Sequence, residues 1–243
     1  MKVVWGFDNP PALRNGVATV GSYDGVHRGH RILLDEVVSR AKQCGGESVV
    51  LTFEPHPRIT LGTAEGLSLL STFEEKCALM EMVGIDYLVV IPFDRAFSRL
   101  SREEFIEQYI VERLHISQLV VGYNHRFGHN NEGDYDFLSR YDSLNVVEIA
   151  QYKHEGEKVS STAIRKALGQ GDIATATALL GHTYIVMGNA NVEGRVEVGE
   201  YKLLPKDGQY TALVDGMPTT IEVRNGAIEQ RECFAQSVKI ELL

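Results

Sequence analysis

Short apolar runs alternate with segments of helical periodicity over the first 150 residues of the chain. Five of these runs have the length and composition of buried strands: 16–21, 48–53, 86–91, 118–121 and 145–150. Helix signals fall between them, such as the apolar spacing of 32–41 and the capping-box sequence at 101–104. Because a parallel strand pair needs a long crossover, the alternation predicts an α/β fold, a parallel sheet with helices on both faces. Ligands of such sheets bind at the carboxyl ends of the strands.

The pattern changes near residue 182. Beyond it, short alternating segments at 184–187, 210–214 and 220–223 are separated by Gly-rich or Asp-Gly turns, which is typical of antiparallel structure. The sequence therefore predicts two domains, one over 1–182 and a small C-terminal antiparallel β module over 183–243.

Charge and composition exclude several classes of partner. Lys plus Arg number 24 against 33 Asp plus Glu, a net charge of −9, whereas a nucleic-acid surface needs clustered positive charge. The chain has neither an apolar run long enough to span a membrane nor a secretory signal pattern, so we expect a cytoplasmic protein with no membrane partner. Its three cysteines are widely spaced, which favours neither a zinc site nor a disulfide framework. An anionic ligand must then be held locally, by helix N-termini, backbone amides and a few Arg or His side chains.

The stretch GSYDGVHRGH, residues 21–30, follows the first predicted strand. Its two histidines, His27 and His30, lie one helical turn apart and can direct two N–H donors at one anion, while glycine lets the backbone approach closely. The start of the following helix would add its dipole. The alternative is a surface turn with a capping histidine. Placement after the strand, together with Gly21, Asp24 and Gly25, favours a nucleotide site.

A second polar cluster, Ser160-Ser161-Thr162-Ala163-Ile164-Arg165, is predicted to open a helix. Its hydroxyls and amides can bind phosphate oxygens, and Arg165 supplies a charge. A plain N-cap with a solvated arginine would give the same pattern.

Two further loops follow predicted strands. The loop over 52–57 has two prolines that would stiffen it and display an aromatic ring and an imidazole to a planar ligand. In the loop over 120–128, Asn124 can bond a nucleotide and Arg126 offers charge. Either loop could be a structural turn. Four polar loops on one edge of a sheet, however, favour a shared ligand site.

Five stretches, taken in order, resemble one family: GSYDGVHRGH, TFEPHP, PFDRAFSRLSREEF, VVGYNHRFG and SSTAIRKALGQGDIATATALLG. They are similar to the FAD synthetase family, the adenylyltransferase part of prokaryotic bifunctional riboflavin kinase/FMN adenylyltransferase proteins. The resemblance covers roughly residues 1–182. It implies a Rossmann-like nucleotidyltransferase fold of the HxGH superfamily and the reaction of FMN with ATP to give FAD and pyrophosphate.

The resemblance also implies roles for individual residues. His27, His30 and Arg165 would be catalytic and contact the ATP phosphates. The expected nucleotide-binding residues are Gly21, Ser22, Tyr23, Asp24, Gly25, Asn124, Ser161 and Thr162. The expected flavin-binding residues are Phe53, Pro55, His56, Pro57 and Arg126. Mg²⁺ would arrive with ATP, and no protein metal site is predicted. The partners expected are small molecules, and nothing in the sequence indicates a protein partner.

The chain departs from the family pattern at several positions. Tyr23 stands where the family usually has Phe, His125 replaces another usual aromatic residue, and Asn131 stands where Arg is frequent. Bifunctional members carry a longer riboflavin kinase barrel with a Pro-Thr-Ala-Asn motif, which does not occur in this sequence. We therefore expect a reduced kinase-like remnant without kinase activity.

Two alternatives to FMN adenylyl transfer remain open. Another HxGH transferase could act on pantetheine phosphate, nicotinamide mononucleotide or a CTP-dependent alcohol phosphate, although TFEPHP and PFDRAF disfavour this. A non-catalytic flavin or nucleotide sensor would have lost the reaction, against which the intact His27, His30 and Arg165 argue.

Overall fold

A computed structural model describes residues 1–154, 157–191, 194–229 and 237–243. Its strands are β1 Lys2–Trp5, β2 Gly16–Val20, β3 Ser48–Glu54, β4 Tyr87–Pro92, β5 Ile116–Gly122, β6 Asn145–Ile149, β7 Lys153–His154, β8 Glu157–Lys158, β9 Tyr184–Ala190, β10 Arg195–Glu197, β11 Gly208–Val214, β12 Met217–Arg224, β13 Ala227–Glu229 and β14 Ser237–Leu242. Its α-helices are α1 Arg28–Gln43, α2 Pro57–Thr60, α3 Phe73–Val83, α4 Arg102–Glu104, α5 Tyr135–Leu138, α6 Ser161–Gln170 and α7 Ile173–Leu180.

The chain divides into two compact units, each built from separate segments. The sheet unit comprises Met1–Tyr23, His30–Glu65 and Met80–Tyr152. The barrel unit comprises Asp24–Gly29, Gly66–Leu79 and Lys153–Leu243. The barrel unit thus includes α6 and α7 as well as the C-terminal strands. The sequence-based division at residue 182 remains a prediction.

Within the described residues, the sheet unit contains a parallel sheet of six strands in the order β1-β4-β3-β2-β5-β6. This confirms the predicted α/β fold. The chain runs from β2 outward through β3 to β4, and then returns to the other side of β2 to form β5 and β6. The strand order therefore reverses at β2, and in open α/β sheets the crevice at such a reversal is the usual ligand site.

Both faces of the central strand β2 are covered. Ala18 and Val20 belong to a large apolar cluster with Phe105 and Ile110, whereas Val17 packs in a second cluster with α1. All five residues of β2 are buried. A strand buried on both faces reads as a continuous apolar run, which is why the sequence indicated this strand so clearly.

The capping box predicted at 101–104 is present. The Ser101 hydroxyl accepts from the Glu104 amide at 3.1 Å, and the Glu104 carboxylate accepts from the Ser101 amide at 2.8 Å. The chain then continues as a π-helix over Phe105–Arg113 rather than as the regular helix that the sequence indicated.

The C-terminal strands of the barrel unit form, among the residues described there, a closed antiparallel barrel of six strands. This confirms the predicted antiparallel β module. β11 and β12 form a hairpin across Asp215 and Gly216, both at positive φ, as a two-residue primed turn requires. Alternate residues of the barrel strands, such as Val214 of β11, Ile221 of β12 and Ile240 of β14, point inward and are buried.

Candidate functional site

A cavity of about 550 Å³ opens in the sheet unit at the carboxyl edge of the parallel sheet. Its size suits a small organic ligand. It is lined by Val20, Gly21, Ser22, Phe53, Pro57, Leu61, Phe93, Phe97, Ser98, Leu100, Phe105, His125, Arg126, Phe127, Gly128, His129, Asn130 and Asn131. Five of the predicted site residues are among them: Gly21, Ser22, Phe53, Pro57 and Arg126.

Aromatic rings form the apolar wall of this cavity. Phe53 meets Phe93 edge to face, with ring centroids 5.4 Å apart, and Phe97 meets Phe105 in the same way at 5.9 Å. Phe127 lies 5.9 Å from Phe105 and extends the cluster. Edge-to-face contacts hold each ring in one orientation. The wall therefore offers a preformed apolar surface to a planar ring system.

The rim of the cavity is polar. Arg126 pairs with Asp134 at 2.7 Å, and Asp134 also caps α5 by accepting from the Phe137 amide. His125 stacks on Phe127 with centroids 5.5 Å apart. Burial lowers the pKa of His125 to about 4, so at neutral pH its ring is uncharged and retains one donor and one acceptor.

Gly128 shapes the same rim. Its φ is +73°, and a Cβ there would lie 2.9 Å from the backbone nitrogen of Arg102. Glycine is therefore required both by the dihedral angle and by the close approach of the two chain segments.

Five predicted residues of the sheet unit do not line this cavity: Tyr23, His30, Pro55, His56 and Asn124. The His56 Nδ1 atom caps α2 by accepting from the Arg58 amide at 3.3 Å. Asn124 is exposed. Tyr23 is buried, its hydroxyl lies 2.6 Å from that of Thr19, and its ring meets His30 edge to face at 5.2 Å. The hydroxyl that distinguishes Tyr23 from the usual Phe thus has its own partner.

A second group of predicted residues lies in the barrel unit, around Asp24. The Asp24 Oδ1 atom accepts from the backbone amides of Leu70 at 2.7 Å and Ser71 at 3.1 Å. Its Oδ2 atom accepts from Nη2 of Arg165, and the Ser161 hydroxyl donates to the Asp24 carbonyl oxygen at 3.2 Å. Burial raises the pKa of the Asp24 carboxyl, whereas Arg165 and the two amides act in the opposite direction.

Arg165 is held at two of its nitrogens. Besides the Asp24 contact, its Nε group donates to the Ser68 carbonyl oxygen at 2.6 Å. These bonds fix the plane of the guanidinium, while about a third of the side chain, 32%, stays exposed. The predicted helix start is confirmed, because α6 begins at Ser161 with Ser160 as its N-cap, and Thr162 is exposed in the first turn.

His27 is buried in the barrel unit, directly before the first residue of α1. Burial lowers its pKa to about 4, and the electrostatic interactions with His182 and Arg165 act in the same direction. At neutral pH the imidazole is therefore uncharged, with one N–H to donate. Gly25, at φ +80°, leaves room for Leu70, whose Cδ1 atom would lie 2.8 Å from an added Cβ.

The structure therefore distributes the predicted residues over both units. It brings Asp24, Ser161 and Arg165 into direct contact in the barrel unit, where His27 and Gly25 also lie, whereas His30 belongs to the sheet unit. The sequence did not predict the role of the backbone amides of Leu70 and Ser71. Every residue except proline has such an amide, so residue types do not show which amides bind a carboxylate. Sequence reasoning also missed Phe93 and Phe97, for which the density of Phe in PFDRAFSRLSREEF was an available signal.

Two further observations concern the described residues. No group of three or more His, Cys, Asp or Glu side chains among them is arranged to hold a metal ion. Over the same part of the chain, no helix combines the length and the apolar character that crossing a membrane requires.

Comparison with known proteins agrees with this geometry. The model of the FAD synthetase family matches residues 9–163, which include the cavity and the Asp24 cluster up to Ser161. The chain belongs to the FAD synthetase family. Its match to the bifunctional riboflavin kinase/FMN adenylyltransferase of Escherichia coli strain K12 is 34% identical over 193 residues, 77% of this chain and 62% of the relative. The chain thus spans about three-fifths of the length of that relative.

Two other similarities are informative. The bifunctional riboflavin kinase/FMN adenylyltransferase of Pseudomonas fluorescens is 36% identical over 219 residues, 88% of this chain and 68% of the relative. The crystal structure of a macrolide-efflux protein from Streptococcus pneumoniae matches with a TM-score of 0.86 at 20% identity, covering all of this chain and 89% of that one. At such low identity the structural likeness shows the fold alone. It supports the same α/β and barrel architecture for this FAD synthetase family member.

The lowered pKa of His27 predicts a dependence of stability on pH. Its pKa falls from 6.5 in the unfolded chain to about 4 in the folded one, so its contribution is complete above pH 6.5 and is lost as pH falls toward 4. For this buried group the loss amounts to about 3 kcal/mol. The free energy of unfolding is measured by urea denaturation at pH 7 and at pH 4. Between these pH values the wild type should lose up to about 3 kcal/mol more of it than His27→Asn does.

The exposed His115 supplies the control, and because its φ is +50° the replacement is asparagine, which tolerates that conformation. His115→Asn should show the same change in free energy of unfolding between pH 7 and pH 4 as the wild type. An equal change in free energy of unfolding in the wild type and in His27→Asn would contradict the lowered pKa of His27.

Proposed function

We propose that this chain transfers AMP from ATP to FMN, giving FAD and pyrophosphate. Membership of the FAD synthetase family supports the assignment, as do relatives that carry FMN adenylyltransferase in their names. The observation that carries it is the aromatic-walled cavity of about 550 Å³ at the carboxyl edge of the sheet. Its apolar wall and polar rim match a ligand with a planar ring system and a charged phosphate tail.

The reaction needs no protein nucleophile. An oxygen of the FMN phosphate attacks the α-phosphorus of ATP in line, a new P–O bond forms, and the bond from that phosphorus to the bridging oxygen of the β-phosphate breaks. Pyrophosphate leaves with that bonding electron pair. Positioning and stabilisation of charge therefore supply most of the catalysis. Mg²⁺ enters with ATP as part of the substrate and keeps several of its waters.

We assign the phosphate contacts to His27, His30 and Arg165. His27, uncharged at neutral pH, donates one N–H to oxygens that gain charge in the transition state. His30 is the third residue of the sixteen-residue helix α1, where the helix dipole favours an anion. Arg165 holds the leaving pyrophosphate, helped by Ser161 and Thr162 at the start of α6.

The remaining assignments follow the same proposal. Gly21, Ser22, Tyr23, Gly25 and Asn124 serve the nucleotide. The flavin is held by Phe53, Pro55, His56, Pro57 and Arg126. Asp24 differs from the rest, because its carboxylate oxygens accept from Leu70, Ser71 and Arg165, and a carboxylate repels phosphate. We therefore assign Asp24 an indirect role, acting on the nucleotide through Arg165. In this proposal residues 1–182 perform the transfer and 183–243 form a supporting module of a cytoplasmic enzyme.

The direct test is to mix the protein with FMN, ATP and Mg²⁺ and to follow FAD by chromatography. Loss of one preorganised donor costs about 10²- to 10³-fold in rate, so His27→Ala and His30→Ala should each slow FAD formation by that factor and largely keep the affinity for FMN. His115→Asn, at an exposed position, should keep the wild-type rate.

Each other outcome identifies a different function. Binding of FMN and ATP without turnover by the wild type would favour a sensor, and pyrophosphate release without FAD would indicate another acceptor. A variant of His27 or His30 that retains the parental rate would remove that imidazole from the mechanism.

We further propose that this chain does not phosphorylate riboflavin. The sequence contains no Pro-Thr-Ala-Asn motif, and inward-pointing side chains such as Val196, Ile221, Val223 and Ile240 are buried in the barrel. Incubation with riboflavin, ATP and Mg²⁺ should therefore yield no FMN above background, with the Escherichia coli relative as the positive control. FMN formed at a rate proportional to the concentration of the purified chain would overturn the proposal.

A further inference from the structure

A buried ion pair in the barrel unit is the starting point. The Lys202 Nζ atom lies 2.7 Å from the Glu75 Oε2 atom, and the exposed fractions of the two side chains are 0% and 1%. Glu75 also accepts from the amides of Thr72 and Met187, each at 2.8 Å. Burial lowers the pKa of Lys202, and the charge of Glu75 opposes that shift.

Lys202 has two more acceptors besides Glu75. Its ammonium donates to the carbonyl oxygens of Leu70 at 2.7 Å and Ile185 at 2.6 Å, and it lies 4.1 Å from the centroid of the Tyr184 ring. An ammonium group has three N–H donors, and all three are used here. The group is thereby fixed in position.

Leu70 connects this ammonium to Asp24. The Leu70 carbonyl oxygen accepts from Lys202, and the Leu70 amide donates to the Asp24 Oδ1 atom at 2.7 Å. The neighbouring Leu69 is bonded on both sides, its amide to the Tyr201 carbonyl at 2.7 Å and its carbonyl to the Leu203 amide at 2.8 Å. The position of residues 69–70 is therefore set by the segment around Lys202.

The series of contacts ends at Arg165. Asp24 receives the Leu70 amide on one oxygen and Arg165 on the other. We propose that Lys202 is a positioning residue for Arg165, acting through Leu70 and Asp24, so that the C-terminal segment that carries Lys202 is required for nucleotide binding. This inference rests on the proposed adenylyl transfer. It gives the C-terminal module a role beyond structural support.

Stability alone does not account for a charge at this position. Replacing a buried ion pair by apolar residues of similar volume is often neutral or stabilising. An apolar side chain would fill the same space, but it would leave the carbonyl oxygens of Leu70 and Ile185 without this donor. The hydrogen bonds of the ammonium, rather than its volume, hold residues 69–70.

The test compares the double variant Lys202→Met/Glu75→Gln with the wild type. The double variant removes both charges, so no lone buried carboxylate is left to unfold the chain. We expect the KM for ATP to rise roughly three- to tenfold, with the KM for FMN unchanged. In an Arg165→Ala background the same double substitution should add little, because both changes act on one contact.

Ile240→Ala is the matched control. It truncates a fully buried barrel residue that lies outside the series of contacts. Each variant is assayed at a temperature chosen so that its folded fraction, determined by urea denaturation, equals that of the wild type. An unchanged KM for ATP in the double variant, or an equal rise in Ile240→Ala, would overturn the inference.

An NMR measurement separates failure of the inference from failure of the proposed function. The Arg165 Nε–H signal, assigned by its loss in Arg165→Lys, reports the bond to Ser68 without requiring turnover. It should shift in the double variant and stay in place in Ile240→Ala. If the wild type forms no FAD but the Arg165 signal shifts only in the double variant, the proposed reaction is wrong and the positioning role stands. If the wild type forms FAD but the Arg165 signal does not behave in this way in the two variants, only the positioning role is wrong.

Discussion

A buried carboxylate needs hydrogen-bond donors, and Asp24 has three of them, which lie on two other segments of the barrel unit. The amides of Leu70 and Ser71 bond one oxygen, and Arg165 bonds the other. Loss of any one donor would leave part of a buried charge without compensation, which costs far more than the net strength of one hydrogen bond. This requirement fixes the 24–25 turn, the 70–71 segment and the start of α6 relative to one another.

In the proposed function, the binding of anions depends on local groups rather than on the overall charge of the chain. The chain carries a net charge of −9, which by itself repels nucleotides. Burial keeps His27 uncharged at neutral pH and makes it a hydrogen-bond donor rather than a source of charge. Arg165 supplies positive charge but shares it with Asp24. In the sheet unit, the cavity offers aromatic surface, with Arg126 at its rim.

The sequence was informative wherever burial is continuous or a cap is local. Five of the six strands described in the parallel sheet, the capping box at Ser101 and the start of α6 were predicted correctly. β1 was missed because its apolar run is only three residues long, Val3 to Trp5, and lies on an edge strand where Val3 and Trp5 are exposed. The aromatic wall of the cavity was missed in part, since rings from distant segments meet only in the folded chain. The roles of Lys202 and of the Leu70 amide depend on tertiary contacts, so a single sequence carries no sign of them.

In the proposed function Asp24 holds Arg165 for the nucleotide, and the affinity for a nucleotide after Asp24→Asn measures this role. The probe is α,β-methylene ATP with Mg²⁺, titrated by calorimetry, with FMN titrated in parallel. A hydrogen bond to a charged group contributes about 1.5 to 3 kcal/mol, so the dissociation constant of the nucleotide should rise roughly tenfold or more while that of FMN stays unchanged. A folded Asp24→Asn protein that binds the nucleotide as tightly as the wild type, or more tightly, would contradict the account.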